Sequence, residues 1–278
     1  MIQEMPMESE TVKKLGPIII ESLGASDKKT GEIFHTEILK YKTFENPNLT
    51  SRLIVADTKE SFLNALSEIV RSIREERFFP ILHIESHGCD DGLYLGSKET
   101  VTWSEMMPLF VEINTLLHNR FIVSLGACYG INFLSAIDIT KRAPFRCVIA
   151  TTQAIKETNL IEAFEAYFDS YYFTFDIIES VKRMNSAIGS DMFFHVSQEY
   201  CFDRITDPDM NPSRFKDNIK KIATEQYTLN PELRNQSFKS LLSQTEDKAR
   251  AGLREARKNR PVFCFEDFKE KAKDLSGQ

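Results

Sequence analysis

The chain predicts an α/β protein: a three-layer α/β/α sandwich with a mostly parallel central sheet and a helical C-terminal addition. Three observations carry this. Short apolar runs bounded by glycine and polar residues recur at 17–20, 52–56, 80–86, 121–127 and 146–152, the pattern of strands buried on both faces. Stretches with apolar residues at helical spacing alternate with them, as βα units require. Beyond Asn211 the chain turns polar and basic. Residues 211–278 hold 15 Lys and Arg against 10 Asp and Glu, while the first 210 hold 20 against 31. That shift divides the chain into 1–210 and a helical extension, 211–278, packed on it.

In order, residues 17–20 form a first buried strand, and 32–43 alternate as an extended or hairpin segment. Residues 52–56 form a second core strand. A helix over 59–77 puts Phe62, Leu63, Leu66, Ile69, Val70 and Ile73 on one face. Residues 80–86 follow as a third core strand ending at His87, and strand–helix–strand implies a right-handed crossover and a parallel pair. After the loop 89–92 and a short strand at 93–95, Thr102 with Glu105 forms a capping box. The helix it opens runs to His118 and buries Met106, Met107, Phe110, Ile113 and Leu117. Residues 121–127 form the next strand; Gly130 lets the chain turn into a helix over 131–139. Another buried strand spans 146–152. Helices at 160–167 and 175–188 follow, the second burying Ile178, Val181, Met184 and Ile188, with Gly189 as C-cap. Residues 192–202 read as a last antiparallel or edge strand. Asn211-Pro212 and Asn230-Pro231 each pair an N-cap with proline at the first helical position, opening helices over 213–227 and 232–259. A short helix after Phe265 closes the chain.

Composition narrows the function classes. At 278 residues the chain can bury a large core. Apolar content of 42% and charged content of 27% are those of a soluble globular protein. No apolar run approaches the ~20 residues of a membrane helix. Residues 1–10 are acidic and lack a signal pattern, so a cytoplasmic protein with no membrane contact is expected. The net charge of −6 has no concentrated basic face, which argues against direct nucleic-acid binding. The five cysteines (Cys89, Cys128, Cys147, Cys201, Cys264) are odd in number and scattered, so reduced thiols are expected. No Cys-x-x-Cys pair occurs, and neither a structural metal nor a cofactor is expected.

Two segments carry chemistry. Phe-Pro-Ile-Leu-His-Ile-Glu-Ser-His-Gly ends at His87-Gly88, and Phe-Ile-Val-Ser-Leu-Gly-Ala-Cys-Tyr-Gly ends at Cys128 and Gly130. Each is an apolar strand stopping at a competent side chain, and ligands sit at the carboxyl ends of parallel strands. A thiol acts as nucleophile in its thiolate form, and a nearby imidazole can take its proton. A helix opening just after Cys128 would add partial positive charge near the sulfur. His83, inside the strand, reads as a packing or hydrogen-bonded core residue. Cys89 is a second thiol in a loop; Cys147, Cys201 and Cys264 read as packing residues.

Ser86-His87-Gly88 followed by Gly126-Ala127-Cys128-Tyr129-Gly130 resembles the caspase-like cysteine proteases, which include caspases, metacaspases, separase and bacterial CHAT-type peptidases. Gly92-Leu93-Tyr94-Leu95-Gly96, with Thr102 opening a helix, looks most like the CHAT branch. The resemblance covers about 51–152. It implies a caspase-like sandwich and acyl transfer by a His87–Cys128 dyad on a protein substrate. It also implies oxyanion donors in the backbone N–H groups of Gly88 and Cys128. No acidic residue that orients His87 is evident; the family often uses a backbone carbonyl there. Metacaspases carry Asp two residues before the nucleophile, where this chain has Gly126. Arg/Lys specificity thus loses its usual support, and the space fits an apolar P1 residue. Asp90 and Asp91 are candidate acids for the pocket, against the alternative of a solvated turn. Thr151, Thr152 and Gln153 are candidate substrate contacts, against ordinary strand-end capping. CHAT-type relatives are held in check by partners, which implies a regulatory protein partner; a role in antiviral defence or regulated cell death follows by analogy.

Two alternatives stay open. One is a catalytically silent caspase-like scaffold. The other is a nucleotide-binding α/β protein using 126–130 as a phosphate loop, though the loop lacks the P-loop Lys-Ser/Thr and a full Gly-x-Gly-x-x-Gly. The cationic run Lys248, Arg250, Arg254, Arg257, Lys258 and Arg260 reads as a solvated helix face, with docking to an acidic partner as its functional alternative.

Overall fold

Among the described residues, eight strands and ten α-helices are built from the apolar runs and helical-period stretches. The computed structural model describes residues 14–45 and 49–268. The strands are β1 (Lys14–Ser22), β2 (Arg52–Val55), β3 (Phe78–Gly88), β4 (Gly92–Tyr94), β5 (Thr100–Thr102), β6 (Ile122–Gly126), β7 (Cys147–Thr151) and β8 (Phe193–Ser197). The sheet order is β2-β1-β3-β6-β7-β8, parallel throughout except for β8, which pairs antiparallel with β7. The ladder aligns Ile18, Leu82, Val123 and Val148 in one row and Ile19, His83, Ser124 and Ile149 in the next. Alternation sends these rows to opposite faces. The first row packs under α3 (Lys59–Glu76) and α4 (Trp103–Leu116). The second packs under the helical segment 30–45 and α5 (Glu157–Thr174) with α6 (Ile177–Ala187). Covering both faces makes the three-layer α/β/α sandwich that the apolar runs predict. Each fully buried Ile, Leu or Val contributes roughly 1.5–3 kcal/mol.

Several local expectations need correction. Residues 32–43 are helical, not extended: α1 (Thr30–Ile33), a π-helical turn (Phe34–Leu39) and α2 (Lys40–Glu45). Phe34 and Leu39 are buried with Ile38 packed beside them, so burial of one helical face overrides the alternation. β2 is an edge strand and only partly buried. β2 and β3 are parallel but not neighbours, because β1 lies between them. Residues 131–139 do not form an α-helix; a seven-residue 3-10 helix, Gly130–Ala136, follows Cys128. Such a short element offers little macrodipole, and the electrostatic support expected from a helix there is lost. The left-handed turn falls on Tyr129 (φ 54°) rather than on Gly130. Gly130 instead sits in a tight spot, where a Cβ would lie 3.1 Å from that of Leu125.

Ile178 is exposed, while Val181 and Met184 are buried as expected. Residues 192–202 divide into β8 and α7 (Gln198–Thr206), with the Ser197 hydroxyl accepting from the Tyr200 N–H as the cap between them. Asn211 caps α8 (Pro212–Leu229) as expected. Asn230-Pro231 instead opens a 3-10 turn, Pro231–Asn235, and Ser237 caps α9 (Phe238–Ala256). After α10 (Arg260–Phe263) the chain is woven into the sandwich: Phe263, Cys264 and Phe265 pack with Ala143 and Phe202, and Arg142 makes paired hydrogen bonds to Asp267. The closing helix predicted after Phe265 lies mostly outside the described residues, as do residues 1–10.

The elements that carry the candidate site form as predicted. The Thr102 hydroxyl accepts from the Glu105 N–H and the Glu105 carboxylate accepts from the Thr102 N–H, completing the capping box of α4. β3 is the longest strand at 11 residues. It overruns β6, and its last two residues pair instead with β4, His87 opposite Tyr94 and Gly88 opposite Leu93.

Candidate active site

β3 and β6 are adjacent and parallel, with Glu85 opposite Gly126 as their last paired residues. Two residues further on stand His87 and Cys128, both at the carboxyl edge of the sheet. Ala127 still packs with the α3–α4 face, while Cys128, in the turn beyond β6, bonds the amide of Ile155, which packs on the opposite face, the one that His83 and Glu85 occupy. His87 shares the parity of those two residues. The backbones meet here: a Cβ at Gly88 would lie 1.8 Å from the Cys128 carbonyl oxygen. Only glycine allows this approach. The His87-Gly88 turn and the Cys128 turn are therefore in direct contact.

The two side chains have separate partners in this conformation. Cys128 Sγ accepts a hydrogen bond from the Ile155 N–H at 3.4 Å. His87 Nε2 lies 2.9 Å from Asp27 Oδ2, and the imidazole is 56% exposed. No hydrogen bond joins His87 to Cys128 among the described residues. Catalytic hydrogen bonds are commonly long or misaligned in free proteins.

Asp27, to which nothing in the local sequence pointed, is the residue that meets His87. It lies 60 residues before His87, in the loop after β1, with no motif around it. Its signal was positional: β1 neighbours β3, so the loop after β1 opens at the same carboxyl edge. Hydrogen bonds from His87, and then from the Gly24 N–H, hold its carboxyl below the ordinary aspartate value. Asp27 is thus an ionised acceptor at neutral pH. The corrected picture has a carboxylate where only a backbone carbonyl was expected.

Gly126 is not a vacant pocket. A Cβ there would sit 1.9 Å from Glu85 Oε1, so the space it leaves is filled by the Glu85 carboxylate. Glu85 is fully buried, bonded to His83 Nε2 at 2.5 Å and to the Thr30 hydroxyl at 2.5 Å. Next to it Glu21, also buried, accepts the Glu32 N–H, and desolvation raises its pKa. His83 Nδ1 faces Ser124 Oγ at 2.8 Å, which bears out its reading as a hydrogen-bonded core residue.

The other candidates scatter. Asp90 and Asp91 are exposed: the Asp90 side chain accepts from Asn132 Nδ2, and their carbonyls accept from the Trp103 ring and backbone N–H. Thr151 is buried, and its hydroxyl turns the chain by accepting the Gln153 N–H. That is strand-end capping, so its side chain is not open to substrate. The Gln153 carbonyl accepts the Tyr129 N–H at 3.1 Å, tying the Cys128 turn to the loop after β7. Thr152 lines a separate cavity. Burial raises the thiols of Cys147, Cys201 and Cys264 to about 12, consistent with packing roles. Among the described residues no cluster of His, Cys, Asp and Glu could hold a metal ion, and no helix is long and apolar enough to cross a membrane.

No family model matches the chain. No curated protein matches it either. Among solved structures, the crystal structure of the Drosophila initiator caspase Dronc is similar over 69% of this chain and 82% of that one, with a TM-score of 0.48 and 11% identity. The likeness concerns the backbone path, and no residue assignment rests on it.

Proposed function

We propose that the chain is a caspase-like cysteine endopeptidase acting on a protein substrate through His87 and Cys128, with Asp27 as the positioning residue of the histidine. The observation that carries this reading is the contact of the Gly88 and Cys128 backbones at the carboxyl ends of adjacent parallel strands. It brings an imidazole-bearing turn against a thiol-bearing turn, where a substrate can approach.

With Asp27 ionised, Nε2 of His87 carries the proton of that hydrogen bond, leaving Nδ1 to take the thiol proton. Cys128 thiolate adds to the peptide carbonyl carbon, and the backbone N–H groups of Gly88 and Cys128 stabilise the oxyanion. The tetrahedral adduct collapses as His87 donates its proton to the leaving amine, giving a thioester. Water, deprotonated by His87, then attacks the thioester and frees the acid and the thiol. Asp27 compensates the imidazolium charge and fixes the ring. For this to proceed the sulfur must swing from the Ile155 amide toward His87.

Assignment to the CHAT branch, control by a regulatory partner, a cytoplasmic setting and a role in defence or regulated cell death belong to the same proposal. The resemblance of 92–96 with Thr102 supports the CHAT branch, from which control by a partner and the defence role follow by analogy, and the acidic start of the chain supports the cytoplasmic setting. The Cys128–Ile155 hydrogen bond favours the second reading, a silent scaffold in which the thiol is structural. Proteome digests followed by mass spectrometry of new termini decide between them, wild type beside Cys128→Ala. New termini that vanish in the variant support the peptidase. Identical digests, with no labelling of Cys128 by a thiol-reactive peptide probe, would leave the scaffold.

A further inference from the structure

A cavity of about 790 Å³ lies between the 3-10 helix after Cys128, strand β8 and the helices α7 and α8. We propose that it binds an extended acidic segment of a regulatory protein, paired through its backbone to β8. Three observations carry this. The first is the strand edge. β8 ends the sheet, with no strand beyond it among the described residues. The Phe193 N–H and C=O both bond the side-chain amide of Asn185, so they point away from β7. By alternation the backbone groups of His195 point outward as well. His195 and both its neighbours line the cavity; three successive residues can do so only if the strand presents its edge. An added strand would find its pairing site there.

The second observation is charge. Arg204 and Arg214 line the cavity and are exposed. Arg204 reaches the hydroxyl and the ring face of Tyr200, and neither guanidinium has a carboxylate partner among the described residues. The wall's one carboxylate, Asp207, is taken by Arg257 at 2.7 Å. A ligand carboxylate meets two available forked donors.

The third is position. Val196 and Cys201 belong to the core on the α3–α4 face, and Ile131 and Leu134 pack against it. Cys128 and His87 turn to the other face. A segment bound in the cavity is therefore not the scissile substrate. It touches Ile131 and Asn132, three and four residues after the nucleophile, from behind. This gives a chemistry to the partner proposed above, and its test does not require proteolysis.

The test is fluorescence anisotropy of the full chain with a labelled decapeptide of alternating Glu and Val. Controls are the Lys-Val counterpart, a copy N-methylated at alternate amides, and a ten-nucleotide oligothymidylate. Expected is saturable binding of the Glu-Val peptide that weakens as salt rises from about 50 to about 300 mM. It should fall about tenfold or more in Arg204→Glu/Arg214→Glu and on N-methylation. Both arginines are exposed, so the variant should melt as the parent does. Equal binding of the Lys-Val peptide, an unchanged Kd in the charge-reversed variant, or tighter binding of the oligonucleotide would overturn the proposal.

Discussion

Replacing Gly126 by alanine tests whether the Glu85 carboxylate fills the space beside the end of β6. In an ordinary strand, glycine is the weaker residue, and Gly→Ala stabilises by about 0.5–1 kcal/mol. Here the new Cβ would lie 1.9 Å from Glu85 Oε1 and 2.5 Å from its carboxyl carbon. Ordinary contact begins near 3.4 Å, so the carboxylate must retreat by roughly 1.5 Å. It cannot do so cheaply, because His83 and Thr30 hold it at 2.5 Å each. Overpacking costs about 1–3 kcal/mol, and loosening hydrogen bonds to a buried charged group about 1.5–3 kcal/mol. The expected destabilisation is about 3–5 kcal/mol, read as a lower urea midpoint at unchanged slope. Glu85→Ala removes the obstacle but strands His83 and Thr30. The double variant should therefore be less destabilised than the sum of the two singles, by about 1–3 kcal/mol. A neutral or stabilising Gly126→Ala, or strict additivity, would refute the notch. The same geometry predicts that Gly126→Asp, the metacaspase pattern, fails to confer Arg/Lys cleavage.

Other outcomes follow from the same coordinates. Asp27→Asn should lower kcat about ten- to a hundredfold with KM little changed, less than loss of the general base itself; an unchanged kcat would remove Asp27 from the mechanism. Because Asp27 is held below its ordinary value, any contribution it makes to stability is present at neutral pH. That contribution is lost only as pH falls below about 4, and urea melts across pH 3–7 would show it. Iodoacetamide on the native protein at neutral pH should modify Cys128 and Cys89, sparing the three thiols near 12; a third adduct on intact folded chain contradicts their burial. Thr102→Ala should cost about 1 kcal/mol through the α4 cap. The Lys59 ammonium, with the Thr102 N–H and hydroxyl, pulls the Glu105 carboxyl to about 2. Its contribution is thus full above 4.5 and fades as pH falls toward 2; a shallower decline of the midpoint over that range in Glu105→Gln than in the wild type is the expected contrast, and equal declines would refute it.

Much of the architecture was written in local pattern. Apolar runs of four to seven residues placed the central strands, and Thr102 with Glu105 placed the start of α4, because burial on two faces and cap geometry leave marks within a few residues. Residues 32–43 misled, since Phe34 and Leu39 bury one helical face while their neighbours mimic alternation. His87 and Cys128 were visible as an imidazole and a thiol at strand ends, each with glycine one or two residues away. What sequence alone determined is therefore the central strands with the main helices between them, and the place of His87 and Cys128 at strand ends. Only the tertiary structure decided the rest. It set β1 between β2 and β3, which delivers Asp27 to His87 across 60 residues. It put the Glu85 carboxylate into the gap at Gly126 and opened β8 toward Arg204 and Arg214. These are contacts between strands and loops distant in the chain, fixed by which elements become neighbours, and strand order leaves no periodic trace in the residues themselves.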